Sequence, residues 1–118
     1  MKSNSLPHHH HESDDLFNTI PDLQDFSIVS DLFKMLSDET RLRIFWILCH
    51  SEECVINLSA LMNMSSPAVA HHLRKLRNTN LITSRKEGKE VYYKAADTNE
   101  ASALHHMIED MMEISCPQ

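Results

Sequence analysis

The sequence feature that most constrains the fold is the stretch Met64–Asn78, MSSPAVAHHLRKLRN, which predicts an amphipathic helix. Ser65 or Ser66 is a typical N-cap, because a serine hydroxyl accepts a hydrogen bond from a free amide of the first turn, and Pro67 needs no donor there. Aliphatic residues at i, i+4 and i+7 predict the face that packs on a core, namely Val69, Leu73 and Leu76. The other faces carry His71, His72, Arg74, Lys75 and Arg77. A solvated surface helix has the same pattern, so the neighbouring segments decide its role.

A short apolar segment precedes this helix and predicts a second helix, joined to it by a tight turn. The segment is Asn57–Asn63, NLSALMN, with Asn57 as the expected N-cap and Asn63-Met64 as the turn. A helix, a tight turn and a capped helix with basic side chains form the helix-turn-helix pattern. We therefore expect these two segments to form one helix-turn-helix unit.

Two short β-prone runs follow the predicted helix-turn-helix. Leu81–Arg85 and Val91–Lys94 are separated by five residues, of which Lys86-Glu87-Gly88-Lys89 forms the expected turn. Gly88 is the only glycine in the chain, and it stands where a hairpin turn needs a positive φ. A helix-turn-helix followed at once by a basic hairpin is a winged helix, so the predicted fold is mainly α with a small β-hairpin (α+β).

These elements make the chain similar to the ArsR/SmtB family of metal- and ligand-responsive bacterial repressors. The matching segments are LFKMLSDETRLRIFWIL, SSPAVAHHLRKLRNTNLI and RKEGKEVYYKAAD, each in the family's order and spacing. The likeness covers Phe33–Tyr93. It implies a homodimer that binds a palindromic operator in double-stranded DNA and is released when an effector binds.

On this hypothesis the exposed side of Met64–Asn78 and the hairpin contact DNA. The residues expected to meet base edges are Ser65, Ser66, Ala68, Val69, His71 and His72. Those expected to meet phosphates are Arg74, Lys75, Arg85, Lys86 and Lys89. The chain has a net charge of −6, yet residues 65–89 hold six Lys or Arg against one acid. Positive charge is thus concentrated where phosphate contacts require it.

Residues 1–20 are predicted to form a flexible, histidine-rich arm, and residues 21–118 a winged helix-turn-helix domain for DNA binding and dimerisation. The arm carries four consecutive histidines, which are either native or the remnant of a tag, namely His8, His9, His10 and His11. Such a tract suits a borderline-soft metal ion such as zinc, although a solvated tail has the same composition.

The resemblance also points to Cys54, which precedes the helix-turn-helix. In metal-sensing relatives a thiolate at this place pairs with ligands from the partner's N-terminal arm. Soft-metal members carry Cys-x-Cys, whereas this chain reads Cys54-Val55-Ile56. A trithiolate site for cadmium, lead or arsenic is therefore not expected, and a mixed site of Cys54 with the arm histidines is the alternative.

Three further helices are predicted from apolar periodicity. They are Asp22–Leu36, Glu39–His50 with Asp38 as its N-cap, and Asp97–Cys116 with a capping box formed by Asp97 and Glu100. The last helix has an apolar stripe wider than one small core can cover, made of Ala101, Leu104, Met107, Ile108, Met111 and Met112. We expect this stripe to pair with the same helix of a second subunit, as in the family's dimers.

A second candidate metal site lies on the last helix. In the family's zinc sensors an Asp and a His at the start of this helix meet a His and a His or Glu near the end of the partner's helix. The resemblance carries these positions to Asp97, Asn99, Asp110 and Glu113, and an asparagine amide is a poor zinc ligand. His106, Asp110 and Glu113 lie at i, i+4 and i+7 on one face and form another possible set of metal ligands. The alternative is that His106 and Asp110 are only an i,i+4 pair on the surface. The expected cofactor is zinc or another divalent transition metal.

A thiol switch is the other sensing chemistry that the sequence allows. Some relatives use one Cys on the second helix and one near the end of the last helix to record sulfide or oxidant. Cys49 and Cys116 occupy those helices about one turn later than the family's pair. Cys49 is also explained as a small core residue.

Several function classes find little support in the sequence. The chain contains no glycine-rich phosphate loop, nucleophile elbow or HExxH pattern, so an enzyme is not expected. It contains no stretch long and apolar enough to span a membrane and no signal peptide, which predicts a cytoplasmic protein. A winged-helix adaptor that contacts proteins is the remaining rival to a repressor.

Overall fold

The computed structural model describes residues 7–8 and 15–115. Its helices are α1 (Leu16–Thr19), α2 (Leu23–Leu36), α3 (Glu39–His50), α4 (Val55–Met62), α5 (Ser66–Asn78) and α6 (Asn99–Ser115). Its strands are β1 (Glu53–Cys54), β2 (Ile82–Glu87) and β3 (Glu90–Ala95). The predicted winged helix-turn-helix, mainly helical with a small antiparallel sheet, is confirmed. The chain divides into two compact units, Met1–Ser30 and Asp31–Gln118.

The first unit carries an element that the sequence analysis did not predict. The short helix α1 lies inside the segment expected to be an arm, and its apolar side chains Leu16 and Phe17 are exposed. The first part of α2 also exposes apolar residues, among them Phe26 and Val29. The predicted boundary at residue 20 stays a prediction.

The second unit is built around one core that receives side chains from α3, α4, α5 and the start of β2. Its largest fully buried side chains include Phe45, Leu58, Leu73 and Leu76. Burying such a side chain stabilises the folded state by about 1.5–3 kcal/mol relative to leaving it exposed. The predicted apolar faces of α3 and α5 are thus confirmed as core faces.

Local hydrogen bonds explain where α3 and α4 begin. The Asp38 side chain accepts from the backbone amide of Arg41 at 2.9 Å, which confirms the predicted cap of α3. The prediction that Asn57 caps α4 is wrong, because the helix begins two residues earlier, directly after the extended Cys54. Asn57 lies in the first turn instead, and its side-chain amide donates to Glu53 Oε1 at 3.0 Å.

The two helices of the helix-turn-helix are joined through a left-handed residue. Asn63 has φ 53°, and the amide of Met64 donates to the carbonyl of Ser59 at 3.0 Å, which closes α4. The Ser65 side chain then caps α5 by accepting from the amide of Ala68 at 3.3 Å. Asparagine tolerates the left-handed conformation better than most residues, so the predicted tight turn is confirmed at this place.

The wing is a three-stranded antiparallel sheet in the order β1-β3-β2. Gly88 has φ 63° at the first position of the two-residue turn, so the glycine supplies the conformation that this hairpin needs. The short strand β1, which pairs Glu53 with Tyr93 and Cys54 with Tyr92, was not predicted. A two-residue strand has too little alternation to be seen in a sequence.

The last helix differs from its prediction in two respects. The first is its cap: the Thr98 hydroxyl, not a box of Asp97 and Glu100, accepts from the amide of Ala101 at 3.2 Å, and the helix begins at Asn99. The second is its apolar stripe: Leu104 is 6% exposed, because the first part of the stripe completes the core of its own protomer. Only the later part, such as Met111 at 56%, is exposed.

Among residues 7–8 and 15–115, every helix is too short or too polar to cross a bilayer.

Candidate nucleic-acid interface and metal-ligand cluster

The outward face of α5 is the first candidate site. Pro67 lies in its first turn, the Ser65 hydroxyl caps it, and the Ser66 hydroxyl lies 3.1 Å from Ser59 Oγ on α4. The polar and basic side chains on this face are exposed, namely Ser65, Ser66, His71, Arg74, Lys75 and Arg77. A capped helix with such a face, held by a second helix across a tight turn, fits the major groove of DNA.

Two of the six predicted base contacts differ from expectation. Val69 is 0% exposed because it belongs to the core face of α5, so its predicted contact with a base edge is wrong. His72 is half-buried, and its Nδ1 lies 3.4 Å from Nη1 of Arg41 on α3. Burial lowers the pKa of His72 despite the nearby Asp38 carboxylate. The His72 ring therefore joins α5 to the start of α3, which leaves His71 as the exposed imidazole of this face.

The three predicted phosphate contacts of the wing are two exposed lysines and one arginine that is paired with acids. Lys86 and Lys89 are exposed near the turn. Arg85 is instead held by acids: its Nε and Nη2 donate to the Glu52 carboxylate at 2.9 Å each, and its Nη1 donates to Glu87 at 2.8 Å. These hydrogen bonds raise the pKa of Arg85 and lower that of Glu52. Because these acids already compensate its charge within the protomer, we expect Arg85 to contribute less to phosphate binding than Lys86 and Lys89.

Among the described residues, the candidate metal ligands of the sequence analysis do not come together in one group. His8 is exposed, and His9, His10 and His11 lie outside the described residues. Cys54 is the last residue of β1, directly before α4, and it is buried. The remaining candidates are exposed on or next to α6, namely Asp97, His106, Asp110 and Glu113. His106 is engaged locally, with Nδ1 2.8 Å from the carbonyl oxygen of Ser102.

A different cluster brings metal-ligating atoms together. Among residues 7–8 and 15–115, the one group of three such side chains comprises His50, His105 and Glu109. The Nε2 atoms of the two histidines lie 3.2 Å apart, and Glu109 Oε1 lies 3.5 Å from each of them. We call these three residues the His–His–Glu cluster. Three ligand atoms of borderline-soft and hard type at such distances are suited to a divalent transition metal.

The His–His–Glu cluster is supported by the only tryptophan in the chain. The indole Nε1 of Trp46 donates to Glu109 Oε2 at 3.0 Å, and the centroids of the Trp46 and His50 rings lie 4.4 Å apart. This hydrogen bond, assisted by the two imidazoles, lowers the pKa of Glu109. The indole therefore keeps the carboxylate ionised and leaves Oε1 directed at the two histidines.

The His–His–Glu cluster could not be predicted from the sequence, and the reason is physical. His105 and Glu109 are an i,i+4 pair on α6, which is a common surface arrangement. His50 is 55 residues earlier and reaches them only because the end of α3 packs beside α6. The one signal in the sequence was the spacing of His105 and Glu109, and it does not identify the third member.

The Cys49 thiol lies close to this cluster. It is half-buried, and burial together with the Glu109 charge raises the pKa of Cys49 to about 11. The thiolate is the reactive form of cysteine, so this environment opposes the chemistry of a thiol switch. Cys116 lies outside the described residues, and its pairing with Cys49 stays a prediction.

An apolar groove lies along the last turns of α6. It has a volume of about 310 Å³ and is lined by side chains of α2, α3 and α6, namely Phe33, Leu36, Leu42, Leu104, Met107, Ile108, Met111, Met112 and Ser115. Phe33, Met111 and Met112 are exposed there. An exposed apolar surface of this kind is typical of a protein–protein interface.

The fold and the α5 face define a winged helix-turn-helix regulator. Residues 38–84 match the family described as "Bacterial regulatory protein, arsR family". The arsenic resistance transcriptional regulator ArsR2 of Pseudomonas putida KT2440 is 36% identical over 80 residues, which are 67% of this chain and 69% of that protein. The chain therefore belongs to the arsR family of bacterial regulatory proteins, and the expectation that it is not an enzyme is confirmed.

Two further comparisons describe the extent of the likeness. The transcriptional repressor SmtB homolog of Synechocystis sp. PCC 6803 is 38% identical over 87 residues, which are 74% of this chain. The match spans 65% of that repressor, just under two thirds of its length. The structure of HlyU from Vibrio cholerae N16961 superposes with a TM-score of 0.70 at 29% identity, and the match covers 80% of this chain and 99% of that one.

Proposed function

We propose that this protein is a homodimeric transcriptional repressor that binds palindromic operator DNA through α5 and is released when a divalent metal ion, zinc above all, binds. The observation that carries the proposal is the outward face of α5. It offers exposed serine hydroxyls, an imidazole and three basic side chains on a helix that the turn at Asn63 and the Ser65 cap hold in place.

The distribution of charge supports DNA as the partner. Arg74 and Lys75 lie on the exposed side of α5, and Lys86 and Lys89 extend this basic surface onto the wing. Acidic side chains concentrate elsewhere: residues 12–39 hold eight acids against one lysine. A concentrated positive field attracts phosphates even when the net charge of the protein is negative.

The apolar groove supports a second copy of the chain as the other partner. Phe33, Met111 and Met112 expose apolar side chains beside one another, whereas the rest of the α6 stripe is already used by the core. A self-complementary contact of this face with itself would produce a two-fold dimer. Two copies of α5 related by that axis suit a palindromic operator with half-sites one helical turn apart.

A metal effector is supported by the relatives and by the His–His–Glu cluster of this chain, whereas two other candidate sites fit zinc poorly. The Pseudomonas relative is named for arsenic resistance, and for this chain we likewise propose an inorganic effector, a divalent metal ion. The site inherited from the family fits zinc poorly, because Asn99 offers an amide where the pattern has an imidazole. Cys54 fits poorly as well, since the structure buries its side chain.

Fluorescence anisotropy on duplexes selected from a random library tests the DNA-binding part. Replacing His71 with alanine should change the preference between operators, because this side chain reaches base edges, at a cost of about 1–3 kcal/mol on the preferred base pair. His106→Ala is the matched control: it removes an exposed histidine from α6 and should leave the preference unchanged. Binding that is equal for all duplexes, or a preference that survives His71→Ala, contradicts the proposed reading face.

A further inference from the structure

We propose that the His–His–Glu cluster binds one divalent transition metal ion of the zinc class within a single protomer. The ligand atoms are His50 Nε2, His105 Nε2 and Glu109 Oε1. The site is distinct from the arm site and from the last-helix site considered above, because it joins the end of α3 to the middle of α6 and needs no second subunit.

The distances between the three atoms support this assignment. Zinc binds nitrogen and oxygen ligands at about 2.0–2.2 Å in tetrahedral geometry, so two of its ligand atoms lie about 3.3 Å apart. The observed separations are 3.2 Å between the two Nε2 atoms and 3.5 Å from each to Glu109 Oε1. The three separations therefore match the edges of one face of a zinc tetrahedron.

The surroundings of the cluster also suit a metal. All three side chains are partly exposed, which gives an ion an entry path and leaves a fourth position for water. Trp46 holds the second oxygen of Glu109, as groups behind metal ligands commonly do, and this fixes the carboxylate orientation. A hydrogen bond between the two imidazoles also explains their contact without a metal. A direct measurement of metal binding therefore has to distinguish a metal site from a hydrogen-bonded pair.

A bound ion would connect two parts of the repressor. The start of α3 contacts α5 through Arg41 and His72, and its end carries His50. The helix α6 carries His105 and lines the apolar groove with Met111. Metal bridging α3 and α6 would therefore couple the α5 face to the surface proposed for dimerisation, and this consequence rests on the proposed function.

Trp46 provides a reporter that is specific for this site. As the only tryptophan, it contacts both His50 and Glu109, so its fluorescence should change on titration of the full chain with Zn²⁺ and be quenched by Ni²⁺, saturating at one ion per protomer. With Co²⁺ the same site should give the visible absorption of tetrahedral coordination. Ions bound by the histidine arm leave this signal unchanged unless they also contact Trp46.

Variants decide between metal binding and a simple hydrogen bond. His50→Gln, His105→Gln and Glu109→Gln should each weaken the Trp46-detected affinity at least about tenfold, as loss of a ligand or its support does. The control His106→Gln removes the adjacent imidazole and should titrate like the unmodified protein. An unmodified protein without a Trp46 response, or cluster variants that titrate like the control, would overturn the site.

The site and the proposed function can fail separately. Metal binding is measured on the free protein, and DNA binding is measured by anisotropy with and without Zn²⁺. A Trp46 response lost in His50→Gln supports the site even if duplex DNA does not bind, whereas absence of DNA binding contradicts only the repressor. DNA release by Zn²⁺ that persists unchanged in His50→Gln would overturn the regulatory role of this cluster.

Discussion

The outward face of α5 and the His–His–Glu cluster differ in the number of elements that each requires. The α5 face is complete on one helix: its cap, its core side and its exposed side all come from the fourteen consecutive residues Ser65–Asn78. The cluster exists only where the end of α3 meets α6, with Trp46 and His50 on one helix and His105 and Glu109 on the other. The proposed recognition of DNA is thus encoded locally, and the proposed sensing chemistry depends on tertiary packing.

The largest effect that we expect concerns the two halves of the α6 stripe. Leu104→Glu should unfold the protomer, because an unpaired carboxylate in its core costs several kcal/mol, comparable to the stability of a whole domain. Met111→Glu should leave the protomer folded and weaken the dimer, because Met111 is exposed in the apolar groove. Circular dichroism during urea unfolding, together with light scattering, measures both.

This pair of variants also tests the division of α6. A folded but monomeric Leu104→Glu variant would place that residue in the dimer interface, as the sequence alone suggested. A monomeric unmodified protein at micromolar concentration would remove the dimer and the palindromic operator together.

The contrast between the two regions explains what sequence analysis predicted. The helix α5 could be predicted from Ser65, Pro67 and the aliphatic residues spaced three and four apart, because these signals act within one or two turns. Val69 was misassigned although its own spacing placed it on the core face. The ion pair of Arg85 was not predicted, because Glu52, its partner, lies 33 residues away in the sequence. His50 and Glu109 were missed for the same reason, since only the fold brings them together.

A smaller effect is expected at the start of α3, which contacts the α5 side of the molecule. The amide of Arg41, donating to the carboxylate, lowers the pKa of Asp38 in the folded state. A depressed carboxyl pKa contributes stability that is present above the unfolded pKa, about 3.9, and is lost as the pH falls through the folded value. Asp38→Ala should reduce the free energy of unfolding at pH 7 by about 1 kcal/mol, as loss of an N-cap does.

Asp38→Asn is the matched control for this cap, because asparagine accepts the same hydrogen bond without titrating. Its free energy of unfolding should fall less than that of the unmodified protein between pH 5 and pH 2.5, as measured by urea titration at each pH. A free energy of unfolding that falls as much in Asp38→Asn as in the unmodified protein over this pH range would contradict the assignment of the pH dependence to Asp38.

The central claim, that the exposed face of α5 binds phosphates and the wing arginine does not, is tested most directly by the salt dependence of DNA binding. For Arg74→Ala we expect the slope of log K against log salt to lose about 0.9, the value for one phosphate contact. Arg85→Ala removes the same charge from a side chain that Glu52 and Glu87 already hold, and it should change the slope little. An unchanged slope in Arg74→Ala, or a loss of about 0.9 in Arg85→Ala, would contradict this account.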